Sequence, residues 1–216
     1  MSGVRNPFRW RAFASCVGVL LAATLAGCAS QNKSVAPGDW YQARKSVKPK
    51  GARIYVCDTF GCKRRTPVQL TDGDLAALER IIRRGAASPR AERRALGKAV
   101  QWFERRVGPV VGSTRDKGGW DWDMAGKRGH MDCIDEATNT TSILLVAQRE
   151  GMLRHHTVGH PASKGYFLDR RYPHATAVVV VKGTGSRYAI DSWVHDNGQP
   201  PVIMPLDAWY KARRLT

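Results

Sequence analysis

Acidic residues are scarce in this chain: 18 Asp and Glu stand against 35 Lys and Arg, for a formal charge of +17. So basic a protein attracts anionic neighbours. Its cations are nevertheless scattered through "KRR", "RIIRR", "AERR", "DRR" and "KARR" with no nucleic-acid motif around them. They read mostly as solvated faces, and no nucleic-acid partner is expected. Long apolar runs are also missing, the stretch from Ala12 to Gly27 covering about 16 residues against the roughly 20 of a spanning helix. Internal repeats and long low-complexity tracts are absent, which excludes a solenoid. Cysteine is sparse: of five, only Cys133 falls in the C-terminal two thirds.

What the N-terminus does contain is Arg5, Arg9 and Arg11 with no acid, then the short apolar run closing in "LAGC". This is the pattern of a secretory signal. Leu25-Ala26-Gly27-Cys28 resembles the lipobox of bacterial lipoproteins, which implies that residues 1–27 are removed and that Cys28 is lipidated, for instance with palmitate, and becomes the new N-terminus. Residues 28–38 suit a flexible tether, and 39–216 make one domain of ordinary size. Loss of the signal removes three arginines, so the mature charge is +14. The expected location is the cell envelope, anchored by lipid and facing the periplasm. Ala29 after Cys28 favours the outer membrane by the same resemblance. Anionic lipid head groups, lipopolysaccharide or acidic polymers are then the nearest neighbours.

With Cys16 lost and Cys28 lipidated, three cysteines remain. Cys57 and Cys62 flank a turn-like segment containing Gly61, and an oxidising periplasm favours their closure as a disulfide. A zinc site on the same pair lacks a second ligand pair nearby. Cys133 is left as a free thiol, a liability in that compartment unless the chemistry uses it.

Residues 54–71 read as strand, loop, strand. Thr71 or Asp72 caps a helix to about Arg84, and Ser88-Pro89 opens another whose stripe Ala91, Ala95, Ala99, Phe103 and Val107 ends at Gly108-Pro109. The segment 112–130 reads as a loop in which Trp120 and Trp122 wall a cleft. Asp132 is placed to N-cap the next helix, with Asp135 completing a capping box and Gly151 ending it. The formal glycosylation sequon at Asn139 lies inside that helix. Cys133 takes the first helical position, where free N–H groups favour thiolate over thiol.

A nucleophile there needs a base and an orienting acid. His174 and Asp191 lie on the two arms of a hairpin around "VVVVKGTG", the valine run implying a strand buried on both faces. An even-numbered loop puts both on one face of the ladder: a turn on Lys182-Gly183 sets them opposite each other, a loop of 183–186 offsets them by four positions, and an odd loop separates them. Trp193 reads either as a lid over the pair or as core. His155, His156 and His160 are no metal site, since Gly159 and Pro161 break the helix that would align them.

"DCIDEAT", "HATAVVVV" and "YAIDSW" together resemble the bacterial transglutaminase-like cysteine proteinases, whose pattern is Asp-Cys-x-Asp on a helix followed by His and Asp on adjacent strands. The preceding "GGWDWDM" is similar to that family's tryptophan-containing stretch. The resemblance covers about residues 115–195. It implies an α+β fold, papain-like or transglutaminase-like, with the nucleophile helix packed on an antiparallel β-sheet behind N-terminal helices. It also implies Cys133 as nucleophile, His174 as general base and Asp191 as orienting acid, acting on a peptide or isopeptide bond of a protein or peptide substrate. The oxyanion would take the Cys133 N–H and a donor from the 120–122 region. Relatives are calcium-dependent with an acid on each side of the cysteine. Here Ile134 takes the second place, leaving Asp132, Asp135 and Glu136 as weak calcium candidates, and no cofactor is expected. The competing expectation is a non-catalytic envelope scaffold that binds an acidic polymer or a protein partner on the same fold.

Overall fold

In a computed structural model the structure describes residues 37–165 and 173–212. The signal segment, the tether and Cys28 lie outside the described residues. Along the chain come α1 (Gly38–Ala43), β1 (Arg53–Asp58), β2 (Arg64–Gln69), α2 (Asp72–Arg83), α3 (Pro89–Val111), a 3₁₀ turn (Trp122–Met124) and α4 (Cys133–Arg149). These are followed by β3 (His156–Val158), β4 (Ala162–Lys164), β5 (His174–Val181), β6 (Arg187–Asp191), β7 (Val202–Pro205) and α5 (Leu206–Lys211). The architecture is α+β with antiparallel sheets. β1 and β2 form a hairpin, and a second sheet has the order β3-β5-β6-β7, with β4 placed end to end with β3 along the same edge of β5.

Local chemistry explains the helix ends. Thr71 and Asp74 form a capping box at α2, and the Ser88 hydroxyl accepts from the Ala91 N–H with Pro89 as the first residue of α3. The stripe on α3 is buried as expected at Ala95, Ala99, Phe103 and Val107. The helix does not stop at Gly108-Pro109, however, but continues to Val111 and closes at Gly112, whose φ is 99°. A proline near the end of a helix costs a single backbone hydrogen bond, and continuing buries Val111 completely. These residues pack with Leu78 and Ile82 of α2, Ile143, Leu144 and Val146 of α4, and Ile54 and Val56 of β1.

β5 is covered on both faces, as its valine run implies. Val179 joins the main core beneath α4, whereas Val178 packs with Ala162, Ala189, Leu206 and Trp209 beneath α5. The β5–β6 register pairs Ala177 with Ile190 and Val180 with Arg187, and the Val181 N–H donates to the Ser186 carbonyl across a loop of residues 182–185. Neither expected loop is the one formed. The even length keeps His174 and Asp191 on one face, offset by two positions, which is within side-chain reach.

The three histidines of "HHTVGH" serve the packing. His156 is fully buried with Nδ1 2.8 Å from Glu92 Oε1, and Glu92 also accepts from the N–H groups of Arg154 (2.8 Å) and His155 (3.0 Å). The His155 ring reaches the Ala86 carbonyl and the His160 ring that of Pro161. Glu92 thus ties α3 to the start of β3. Glu92→Ala should cost on the order of 3 kcal/mol in urea unfolding because it leaves buried donors without an acceptor, while Glu92→Gln should recover part of the loss.

Candidate active site

The head of α4 is built by two carboxylates. Asp132 accepts from the N–H groups of Ile134 (3.0 Å) and Asp135 (2.9 Å), and Asp135 accepts in return from the Asp132 N–H (3.2 Å). Cys133 therefore takes the first helical position, as the capping pattern requires. Its side chain packs with Trp40, Tyr41, Ala137 and Ala175, with Ile134 and Trp193 alongside. Trp40 Nε1 donates to Thr138 Oγ1 at 2.9 Å and the Tyr41 hydroxyl bonds Ser142 Oγ at 2.8 Å, so α1 seals this flank of α4.

The sulfur touches the backbone on each side of His174, lying 3.9 Å from the Pro173 carbonyl with the Ala175 N–H also directed at it. His174 Nε2 is 2.6 Å from Asp191 Oδ2. His174 Nδ1 is buried with no hydrogen-bond partner among the described residues. Of the three residues proposed from sequence, His174 and Asp191 are thus joined directly, and Cys133 meets β5 at the backbone that flanks His174. Trp209, which the sequence did not single out, completes the arrangement: its Nε1 donates to the same Asp191 oxygen at 2.7 Å. The imidazole lies between two indoles, 4.7 Å from Trp193 and 5.4 Å from Trp209. Lys164, paired in register with His174, donates to the Trp209 carbonyl at 2.5 Å and so binds α5 to the sheet.

The expected thiolate is not what the surroundings favour. Burial pushes the Cys133 thiol up to about 12, and the charges of Asp132, Asp191 and Asp135 add to the rise, against the pull of the Ala175 N–H. The helix terminus offers about half a positive charge, and the capping carboxylates at that same terminus cancel it. Cys133 and His174 are each 6 % exposed. The resting sulfur is therefore a buried neutral thiol.

Trp120 and Trp122 stack face to face at 4.0 Å but are 38 % and 62 % exposed, so they stand on the surface rather than walling a buried cleft. Trp120 meets Trp193 edge-on at 6.1 Å, extending a line of aromatic rings from solvent to His174. Their loop is stitched to the segment after β6: the Gly119 N–H donates to the Trp193 carbonyl at 2.7 Å, and the Gly118 N–H to Asp196 at 3.1 Å. A Cβ at Gly118 would lie 2.4 Å from the His195 backbone, so only glycine permits this approach. A cleft of about 420 Å³ lined by Val194, His195, Asp196, Gln199 and Pro200 opens nearby without including Cys133, His174 or Asp191.

The weak calcium candidates are otherwise engaged. Asp132 and Asp135 face backbone N–H groups, and Glu136 accepts from Ser192 Oγ at 2.8 Å. Among the described residues, the grouping with ligand-like spacing is Cys57, Cys62 and Asp135, but the two sulfurs are bonded to each other as a disulfide. Asn139, the formal sequon residue, is buried and braces Cys57, accepting from its N–H at 2.7 Å and donating to its carbonyl at 2.9 Å.

Behind Asp191 lies a group of buried acids that sequence reasoning missed because its members come from α3, α4 and the loop between them. Ser192 Oγ bridges Glu136 and Thr140, Glu104 accepts from the Gly198 N–H at 2.6 Å, and Asp116 accepts from the Met131 N–H at 3.3 Å. Burial pushes Glu136 up to about 7, with the charges of Asp191 and Asp132 adding to the rise, and burial together with the charge of Glu136 pushes Asp116 up to about 8 and Glu104 well above the carboxylate range.

No family model, curated protein or solved structure matches the chain. No helix among the described residues is long and apolar enough to cross a membrane.

The raised acids set a pH dependence. Folding favours their protonated forms, so their contribution to stability is complete below about pH 4 and is lost as pH rises through about 7 to 8. Urea midpoints should therefore fall between pH 5 and pH 8.5. Asp116→Asn, which keeps an acceptor for the Met131 N–H, should flatten that slope.

Proposed function

We propose that this chain is a cysteine peptidase or amidase of the transglutaminase-like, papain-like type, held in the cell envelope by lipid on Cys28 and acting on peptide or isopeptide bonds. The observation that carries the reading is the His174–Asp191 pair. Its Nε2 is occupied by the acid at 2.6 Å. Its Nδ1 is buried without a hydrogen-bond partner among the described residues, and the Cys133 sulfur lies against the backbone flanking His174.

With the thiol neutral at rest, the chemistry runs by general base catalysis. The substrate carbonyl approaches Cys133, the S–H proton passes to His174 Nδ1, and sulfur bonds to the carbonyl carbon. Asp191, with its charge localised by Trp209 Nε1, holds the imidazolium that forms. The tetrahedral oxyanion takes the Cys133 N–H at the head of α4. Collapse breaks the C–N bond as His174 returns its proton to the leaving amine. Water or a second amine then releases the acyl group from sulfur, giving hydrolysis or amide transfer. No metal or cofactor is assigned a part.

A second reading, a non-catalytic scaffold on the same fold, is favoured by the burial of the sulfur and its pKa of about 12. Iodoacetamide distinguishes the two. The enzyme reading predicts labelling of Cys133 between pH 6 and 8 that slows on the order of tenfold in His174→Ala, together with loss of peptide turnover in Cys133→Ala. Trp209→Phe should lower kcat and leave KM unchanged. Equal, slow labelling of the native and His174→Ala proteins selects the scaffold.

A further inference from the structure

Four consecutive residues, Thr59, Phe60, Gly61 and Cys62, hold left-handed backbone, with φ of 71°, 64°, 68° and 60°. Glycine adopts this region freely, while β-branched and aromatic residues enter it at a cost that the surrounding contacts must offset. Successive amides in such a turn point to one side and form a concave anion-binding nest. Its occupant here is a pair of side chains. The N–H groups of Phe60 and Cys62 donate to Asp135 at 2.9 and 2.6 Å, and that of Gly61 donates to Asp132 at 2.9 Å. These are the two carboxylates that cap α4, one immediately before Cys133 and one two residues after it.

The rest of the turn is gripped from the same side. Asn139, one helical turn beyond Asp135, holds both backbone polar groups of Cys57, and the Thr59 N–H donates to the His130 carbonyl at 2.8 Å. The Cys57–Cys62 bond closes the ring on these same residues. It adds a covalent link to the hydrogen bonds that hold this left-handed turn.

We propose that the disulfide-closed turn from Cys57 to Cys62 is the positioning element of Cys133, and that opening this one bond releases the thiol from its buried seat. On reduction, an added dithiol attacks one sulfur and the S–S bond breaks. Two thiols form on Cys57 and Cys62, and the reagent leaves as its own disulfide. Thr59, Phe60 and Cys62 then relax toward right-handed backbone, the three amides turn away, and the first turn of α4 opens. The inference rests on Cys133 being the nucleophile only for its effect on turnover, because the position of the thiol is read without any substrate.

The test is iodoacetamide labelling of Cys133, mapped by peptide mass, across pH 6 to 10. It compares the full chain as isolated, with intact mass showing Cys57 and Cys62 bonded, and the same protein after dithiothreitol. Cys57→Ser with Cys62→Ser provides the genetic counterpart. Reduction should raise labelling at pH 8.5 at least about tenfold and move the pH midpoint down toward the roughly 8.5 of an unperturbed thiol, while thermal melting stays cooperative. Phe60→Gly, which holds the left-handed turn at lower cost, should restore most of the slow labelling in the reduced protein, a rescue that a purely global role of the bond does not give. Three results overturn the proposal: a labelling profile unchanged by reduction, loss of cooperative melting on reduction, or no rescue by Phe60→Gly. Absence of peptide turnover in every form, with the labelling as expected, defeats the peptidase reading and leaves this inference standing.

Discussion

Asp132 and Asp135 meet the backbone on two sides at once. Toward α4 they close the capping box that starts the helix at Cys133, and toward the chain before it they receive the amides of Phe60, Gly61 and Cys62. The placement of the thiol depends on that double engagement, because without acceptors the left-handed turn has no reason to form and the helix has no fixed first residue. The same carboxylates explain why the thiol stays protonated, since negative charge placed at the helix head for geometry opposes a second negative charge on the adjacent sulfur. Order at this site is obtained against intrinsic thiol acidity, so in the proposed mechanism the activation falls to the imidazole.

The other half of the site is organised by Asp191. One of its oxygens receives both the Trp209 indole and the His174 imidazole, and Trp209 is brought there by α5, which covers the outer face of β5. The histidine is thus held from the far face of the sheet while the cysteine arrives on α4 from the near face. A strand buried on both sides, with seven of its eight residues closed to solvent, is the element across which the two halves register. The buried acids behind Ser192 add a proton-dependent brace to this arrangement without entering the chemistry assigned to Cys133 and His174.

Much of this was legible in the sequence where the determinants are local. The capping box Asp132–Asp135, the glycine after α4, Pro89 at the start of α3 and the four valines each specify backbone or burial within a few residues. The parity of the hairpin loop sufficed to put His174 and Asp191 on one face, but their offset depends on where the four-residue loop falls, and no residue in Lys-Gly-Thr-Gly determines that alone. Trp209 was missed because its partner is 18 positions away and its role exists only once α5 folds back. The nest around Asp135 was missed for a similar reason, since its donors lie 73 and 75 residues earlier. Pro109 was misjudged as a stop because the burial of Val111, a tertiary gain, outweighs one lost hydrogen bond. The expected thiolate failed because the helix dipole was weighed without the carboxylates that cap it.

The central claim of the proposed function is that His174 keeps Nδ1 unprotonated while Nε2–H is held by Asp191. Nitrogen-15 NMR of the ring-labelled histidine, assigned through His174→Gln, reads this tautomer directly. The account predicts an Nε2-protonated imidazole with a strongly deshielded Nε2–H proton that disappears in Asp191→Ala. An Nδ1-protonated ring, or a His174 signal indifferent to Asp191, would contradict it.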